Sequence, residues 1–230
     1  MSLGISVVLS TICLVLLPET LPAGGGTEPV PANPRAVIEY SEGDVLVDGR
    51  PAEIGQEVAL GADVRTGENS TCIIVFGGKN IFRIQELSSA VIRIDEEQGS
   101  IDLARGALAA VFDRLQRLSG SGGAFRIQTP TAVAGVRGTA FFIKVEDQNN
   151  TYVCTCNGKL GLEDVDQGNS RSVRATHHRS YRFTRGADGI TTSRVRMMYH
   201  TDSDITSLAS QIGVRLPWKS SSKSGGGGMY

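Results

Sequence analysis

This chain is poor in the residues that usually announce an activity. Its 230 residues include 3 histidines, 4 cysteines and 1 tryptophan, and aromatic residues make up 6%. It has no P-loop, G-x-S-x-G, H-E-x-x-H or dinucleotide-binding glycine fingerprint. No paired carboxylates stand at a suggestive place, so catalysis finds no positive support. A net charge of −1 excludes a global field that would gather nucleic acid. The apolar run Leu3–Leu17 falls short of the roughly 20 residues that span a bilayer as a helix.

What is present points to a β-rich, exported protein. Hydrophobic residues make up 40% and charged residues 20%, which fits a globular domain with appendages. The 28 glycines, set among many short Val/Ile-rich runs, predict an all-β fold with frequent turns. The apolar run meets Pro18 and the small residues "LPAGGG", the pattern of an export signal cleaved near Ala23, although no Lys or Arg precedes it. Residues 1–23 therefore read as a signal peptide or retained N-terminal anchor, and 24–36 as a Pro/Gly-rich linker. Any membrane association is expected through that N-terminal segment alone. Cys13 lies inside the run without the small residues that precede a lipidated cysteine. Cys72, in "STCIIVFGG", reads as a small buried hydrophobe.

Residues 37–196 read as the β domain. Alternation is clear in "IFRIQ" and "VIRID", a tight turn is expected at "DG" and hairpin turns at "EDQNN" and "DQGNS". "SIDLARGALAAVF" reads as a strand, or as a strand that passes into a helical turn at "DRLQRL", and "SGSGG" as a flexible loop. Residues 197–213 are expected to be helical. Thr201 and Asp204 form a capping pattern, Ile205, Leu208, Ala209 and Ile212 follow at helical spacing, and Gly213 supplies a stop, which predicts a helix over about 202–212. Residues 214–230, "VRLPWKSSSKSGGGGMY", are expected to be a disordered tail.

The run "FRIQTPTAVAGVRGTAFFIKV" resembles the FecR-domain family, whose hallmark is "TPtAv.gVRGT.F"; residues 129–142 match it. The upstream "GADVRTGENSTCIIVFGGKNIFRIQELSSAVI" is similar to the other half of that pattern, and the resemblance covers about 37–185. It implies an extracytoplasmic domain of stacked short strands, sandwich-like or solenoid-like, in the periplasm or elsewhere outside the bacterial cytoplasm. The family's best-known members are iron–siderophore signal transducers that bind a sigma factor through a segment preceding a membrane helix. Only Met1 and Ser2 precede the apolar run here, so an exported stand-alone module is expected. Its expected partner is an unidentified envelope protein or cell-wall polymer. Thr129, Pro130, Gly135, Arg137 and Gly138 read as a turn and hydrogen-bond anchor rather than a ligand contact.

The final third holds a concentration of soft ligands. Cys154 and Cys156 form the only C-x-C, and His177, His178 and His200 are the only histidines. The family pattern after the hairpin places apolar residues five and three positions before a glycine, here Val153 and Thr155 before Gly158. Both thiols then fall on the opposite face of the strand. A disulfide between them is poorly placed, because residues i and i+2 of a strand lie about 6.6 Å apart. The next strand is expected over about Ser172–His178. His177 and His178 point to opposite faces if it is regular, whereas a kink would bring both in. Two Cys and two His make a tetrahedral site for which zinc is the default, with copper or an iron–sulfur cluster as alternatives. Met197 and Met198 beside His200 would tilt the choice toward copper. The cluster shows no ligand carboxylate, which argues against Ca²⁺ and Mg²⁺. Arg174 and Arg179 are expected to lower the thiol pKa values. A redox-active disulfide and a metal-free scaffold are the competing readings. The seven arginines at 171, 174, 179, 182, 185, 194 and 196 read as a solvated strand face, with an anion or polymer site as the alternative.

Overall fold

The structure, a computed structural model, describes residues 36–94, 99–113, 125–166 and 168–218. The expected export signal, nearly all of the linker, most of "DRLQRL", the "SGSGG" loop, the last twelve residues and the side chain of Arg137 lie outside the described residues. Strands β1 (Ala36–Glu42), β2 (Val45–Val47), β3 (Arg50–Pro51), β4 (Ala62–Thr66), β5 (Thr71–Phe76), β6 (Asn80–Ile84) and β7 (Ser89–Ile94) are short. They are followed by β8 (Gly99–Phe112), β9 (Phe125–Gln128), β10 (Ala132–Asp147), β11 (Asn150–Asp164), β12 (Ser170–Ala175), β13 (Arg179–Gly186) and β14 (Gly189–Val195), and one helix, α1 (Asp202–Gln211), closes the chain. All the strands join one sheet, antiparallel except where β9 lies parallel to β8. The fold is all-β with a short helix. Among the described residues no helix is long and apolar enough to cross a membrane.

The sheet buries both faces. One carries most of the apolar side chains, with Phe76, Phe112, Phe125 and Phe141 in mutual ring contact at 4.8–5.6 Å. The opposite face is smaller and holds Ala140, Phe142, Tyr152, Cys154 and Cys156 under Ile205, Leu208 and Ala209 of α1. Alternation along β10 and β11 sends Phe141, Ile143 and Val153 to the first face and Phe142, Tyr152 and Cys154 to the second.

A β-bulge interrupts that alternation where β11 meets β10. Ala140 pairs with Asn157 and Phe141 with Thr155, so Cys156 is the extra residue. Beyond the bulge the parity reverses, and Leu160 and Leu162 join the first core. Gly158 makes the reversal possible at φ +101°, where a Cβ would meet the Gly138 carbonyl at 3.0 Å. The signature threonines are structural. Thr129 Oγ1 accepts from the Ala132 N–H at 2.9 Å, and Thr131 Oγ1 donates to Thr151 of β11 at 2.7 Å.

Helix α1 begins and ends on recognisable chemistry. The Asp204 N–H donates to Thr201 Oγ1 (3.2 Å), and the Thr201 N–H donates to the Asp204 carboxylate (2.7 Å), a reciprocal cap worth about 1 kcal/mol. At the other end Gly213 takes φ +70°, its N–H donates to Ser210 O, and Val214 N–H reaches back to Ala209 O at 3.0 Å. Burial of Ile205 and Leu208 contributes roughly 2 kcal/mol each. The chain does not leave the fold at 214. Val214, Leu216 and Trp218 pack against the second core, so the ordered segment runs past the expected start of the tail.

Candidate metal centre

The site is built where β11 changes partners. Residues 150–155 pair with β13 and residues 158–163 with β12, which leaves Cys156 at the changeover. The turn linking β12 to β13 crosses β11 at this point: the His178 N–H donates to Cys156 O (3.1 Å), and Asn157 Nδ2 donates to Thr176 O (3.1 Å). The strand expected to run to His178 ends at Ala175, and His178 adopts φ +34°, a left-handed conformation uncommon for any residue but glycine. That bend turns the His178 ring inward. Tyr199, the neighbour of His200, is also left-handed at φ +69°. Positive φ at two non-glycine residues flanking one cluster is strain held in place by the surrounding packing.

Four ligand atoms converge here. Cys154 Sγ, Cys156 Sγ, a nitrogen of His178 and a nitrogen of His200 all lie within 4.8 Å of one another. The sulfurs are 3.8 Å apart. Cys154 Sγ lies 3.5 Å from His178 Nδ1, and Cys156 Sγ 3.3 Å from His200 Nε2. The two imidazole nitrogens are 3.3 Å apart. Both cysteines are fully buried and His200 is 6% exposed. Phe142 stacks on the His200 ring at 4.5 Å, and the Tyr152 hydroxyl accepts from Met198 N–H at 3.0 Å and shares a hydrogen bond with Ser180 Oγ, which braces the segment leading into His200.

The far sides of both rings fix their tautomers. His200 Nδ1 faces the Met198 carbonyl at 2.9 Å. A carbonyl only accepts, so Nδ1 carries the proton and Nε2 presents its lone pair to the site. His178 Nε2 donates to Asp202 Oδ1 at 2.6 Å, which leaves Nδ1 for the site. Asp202 is the first residue of α1, so the helix N-terminus positions the carboxylate. Burial by itself would raise the Asp202 pKa, but His178 and His177 outweigh it and hold the carboxyl below its ordinary range. His178 is likewise desolvated, yet Cys154 and Asp202 together raise its pKa. The Cys156 thiol, donating to the neighbouring sulfur, lowers the Cys154 pKa against burial, and His178 and His200 add to that. Burial and the adjacent Cys154 push Cys156 up. Both shifts act in the direction of a thiolate on Cys154 facing a protonated His178.

The structure sorts the five expected residues. Cys154, Cys156, His178 and His200 meet at one point. His177 does not: its side chain is half exposed, and its Nε2 bonds Asp202 Oδ1 at 3.0 Å on the outer side. His177, His178 and Asp202 form a second, more exposed group around that shared carboxylate, with the Trp218 ring 5.2 Å from His177. No carboxylate belongs to the four-atom group, as expected, but the sequence reading missed Asp202, which holds His178 from its far side across a turn and a hairpin. The only hint in the sequence was its place in the first turn of a capped helix two residues after His200. The lowering of Cys154 comes from the cluster itself rather than from Arg174 and Arg179. Met198 contributes its carbonyl to His200, and Met197 is exposed. Cys72 is a buried hydrophobe, its thiol pushed up to about 12 by burial.

The sequence pattern of the FecR protein family matches residues 62–160. No curated protein matches the chain. Among solved structures, two crystal structures of a candidate anti-sigma factor from Parabacteroides distasonis, at 1.65 and 2.50 Å resolution, are similar at TM-scores of 0.45 and 0.46. Sequence identity is 12% and 11%, and each match covers 57% of this chain and 59% of the other. Cys154 and Cys156 fall inside the family match, whereas His178, His200 and Asp202 lie beyond it. The stretch that matches the FecR pattern runs from β4 to just past the changeover of β11.

Proposed function

We propose that this protein is an extracytoplasmic FecR-like interaction or signal-relay domain that holds one zinc ion through Cys154, Cys156, His178 and His200. One observation carries the reading. A tetrahedron with Zn–S of about 2.3 Å and Zn–N of about 2.05 Å places S···S at about 3.8 Å, S···N at about 3.6 Å and N···N at about 3.3 Å. Here the S···S edge is 3.8 Å, two of the four S···N edges are 3.5 and 3.3 Å, the N···N edge is 3.3 Å, and the other two S···N edges lie within 4.8 Å. The outward hydrogen bonds of both imidazoles are of the kind that orients zinc-ligating histidines.

Four protein ligands fill a tetrahedron, so no position remains for a substrate and the reading is non-enzymatic. An iron–sulfur cluster would interpose a second iron and sulfides between the cysteine and histidine pairs, and 4.8 Å leaves room for one ion. Full burial of both sulfurs argues against exchange with an external disulfide. The ion would join β11, the β12–β13 turn and the start of α1, latching the C-terminal segment onto the domain. A structural or sensory role follows from that position. The partner remains an envelope protein or cell-wall polymer, by the family resemblance.

Elemental analysis of the anaerobically purified protein tests the proposal. About one zinc per chain, lost in the Cys154→Ser/Cys156→Ser variant, supports it; one copper per chain keeps the site and changes the ion. No metal in protein that is folded with free thiols returns the chain to a metal-free scaffold.

A further inference from the structure

Beside the metal centre, on its solvent side, the bend at 176–179 opens two adjoining clefts. One, of about 420 Å³, is lined by His178, Arg179, Ser180, Arg194 and Arg196 among others. The other, of about 350 Å³, adds Arg174 and shares His178, Arg179 and Arg194. The strand register explains the convergence. Arg179 pairs with Thr155 at the start of β13, and Arg194 lies on β14 opposite Tyr181.

These arginines differ from their neighbours on the same strands. Arg182 is held bidentately by Glu146, and Arg185 by Asp166. Among the described residues, no carboxylate pairs with Arg174, Arg179, Arg194 or Arg196. Asp202, the carboxylate in contact with His178, is already engaged by both His177 and His178. Lys159 stands directly opposite Arg174 in the β11–β12 ladder, a like-charge pair that costs stability unless an anion intervenes. A concave surface with four guanidinium groups that no described carboxylate pairs is suited to a ligand carrying two or more negative charges on oxygen, because each guanidinium offers a planar fork of donors.

We propose that this paired cleft binds a phosphate group, presented either by a small soluble ligand or by an anionic lipid headgroup. The site is independent of the metal reading, since none of its arginines is a ligand to the ion. The test uses the full chain with its metal content measured alongside. Inorganic pyrophosphate is titrated by calorimetry, and flotation is measured with phosphatidylcholine vesicles with and without phosphatidylglycerol. Saturable pyrophosphate binding, weakened at least tenfold in Arg179→Gln/Arg194→Gln but not in Arg171→Gln, supports a soluble phosphate ligand. Flotation only with phosphatidylglycerol, lost in the same double variant, supports a headgroup. Absence of both, or binding unchanged in the double variant at unchanged metal content and circular dichroism, overturns the proposal. A double variant that does not fold is replaced by Arg194→Gln alone, read by the same criteria.

Discussion

His178 Nδ1 and His200 Nε2 face each other across 3.3 Å, and each ring is tied on its far side to an acceptor, Asp202 for one and the Met198 carbonyl for the other. When both rings are neutral, as metal ligation requires, those outer bonds turn a lone pair of each toward the same point. Two such lone pairs repel at this distance unless a proton or a cation lies among them. The sulfurs complete the arrangement, and one zinc ion, as proposed, would satisfy all four atoms at once.

Single substitutions should separate members of the tetrahedron from its surroundings. Cys154→Ser, Cys156→Ser, His178→Ala and His200→Ala are each expected to weaken zinc binding by more than about 100-fold, beyond the range seen for outer-shell changes. His177→Ala is expected to leave the stoichiometry at one ion per chain. Competition against a chromophoric chelator measures both. A loss in His177→Ala equal to that in His178→Ala would move the site outward to the Asp202 group.

Asp202→Asn keeps the size of the side chain and removes the charge that orients His178. Zinc affinity should fall by about 10- to 100-fold. The same change weakens the favourable first-turn charge of α1 by about 0.3–1 kcal/mol. Chemical denaturation of the metal-free protein reads that effect together with the weakened His177 and His178 contacts, and an unchanged zinc affinity would show that the His178–Asp202 bond is incidental.

Zinc binding should strengthen steeply with pH. The metal-free site holds about two protons near neutrality, one on Cys156 and one shared between Cys154 and His178, and zinc must displace both. The apparent affinity is therefore expected to rise about 100-fold per pH unit below the point where the thiols ionise unaided. Proton release measured in two buffers of different ionisation enthalpy checks the count. A pH-independent affinity would contradict thiolate ligation.

A second pH effect lies away from the metal. Burial would raise the Glu146 pKa, but Arg182 and Tyr199 outweigh it and lower it. Arg182 holds both carboxylate oxygens, at 2.6 and 2.7 Å, and the Tyr199 hydroxyl donates to the same group. A depressed folded-state pKa contributes stability that is present above the unfolded carboxylate range and is lost as pH falls through the folded value. Glu146→Gln should cost about 1 kcal/mol at pH 7 and progressively less under acid. Urea midpoints at pH 7 and at low pH test this; an equal cost at both would assign the effect to packing.

Much of this arrangement was legible in the sequence, and the remainder was hidden for identifiable reasons. Period-two alternation placed Cys154 and Cys156 on the face opposite Val153, and the two cores confirm it. The capping pattern at Thr201 and Asp204 located α1 to within a residue. Alternation could not reveal the bulge at Cys156, because that depends on how β10 and β11 align across the sheet. The choice between His177 and His178 rested on backbone geometry: a single left-handed residue ended β12 early and turned one ring in and the other out. Asp202 escaped notice because only the docking of α1 against the second core brings it to His178. Trp218 sits in a stretch whose polar, glycine-rich continuation resembles a tail, yet its ring packs 5.5 Å from His178.

The most direct test of the central claim is X-ray absorption at the zinc edge on protein purified without chelator or added metal. The account predicts a first shell of two sulfurs at about 2.3 Å and two nitrogens at about 2.0–2.1 Å. A shell without sulfur, or a protein that retains no metal while Cys154 and Cys156 remain free thiols, would contradict it.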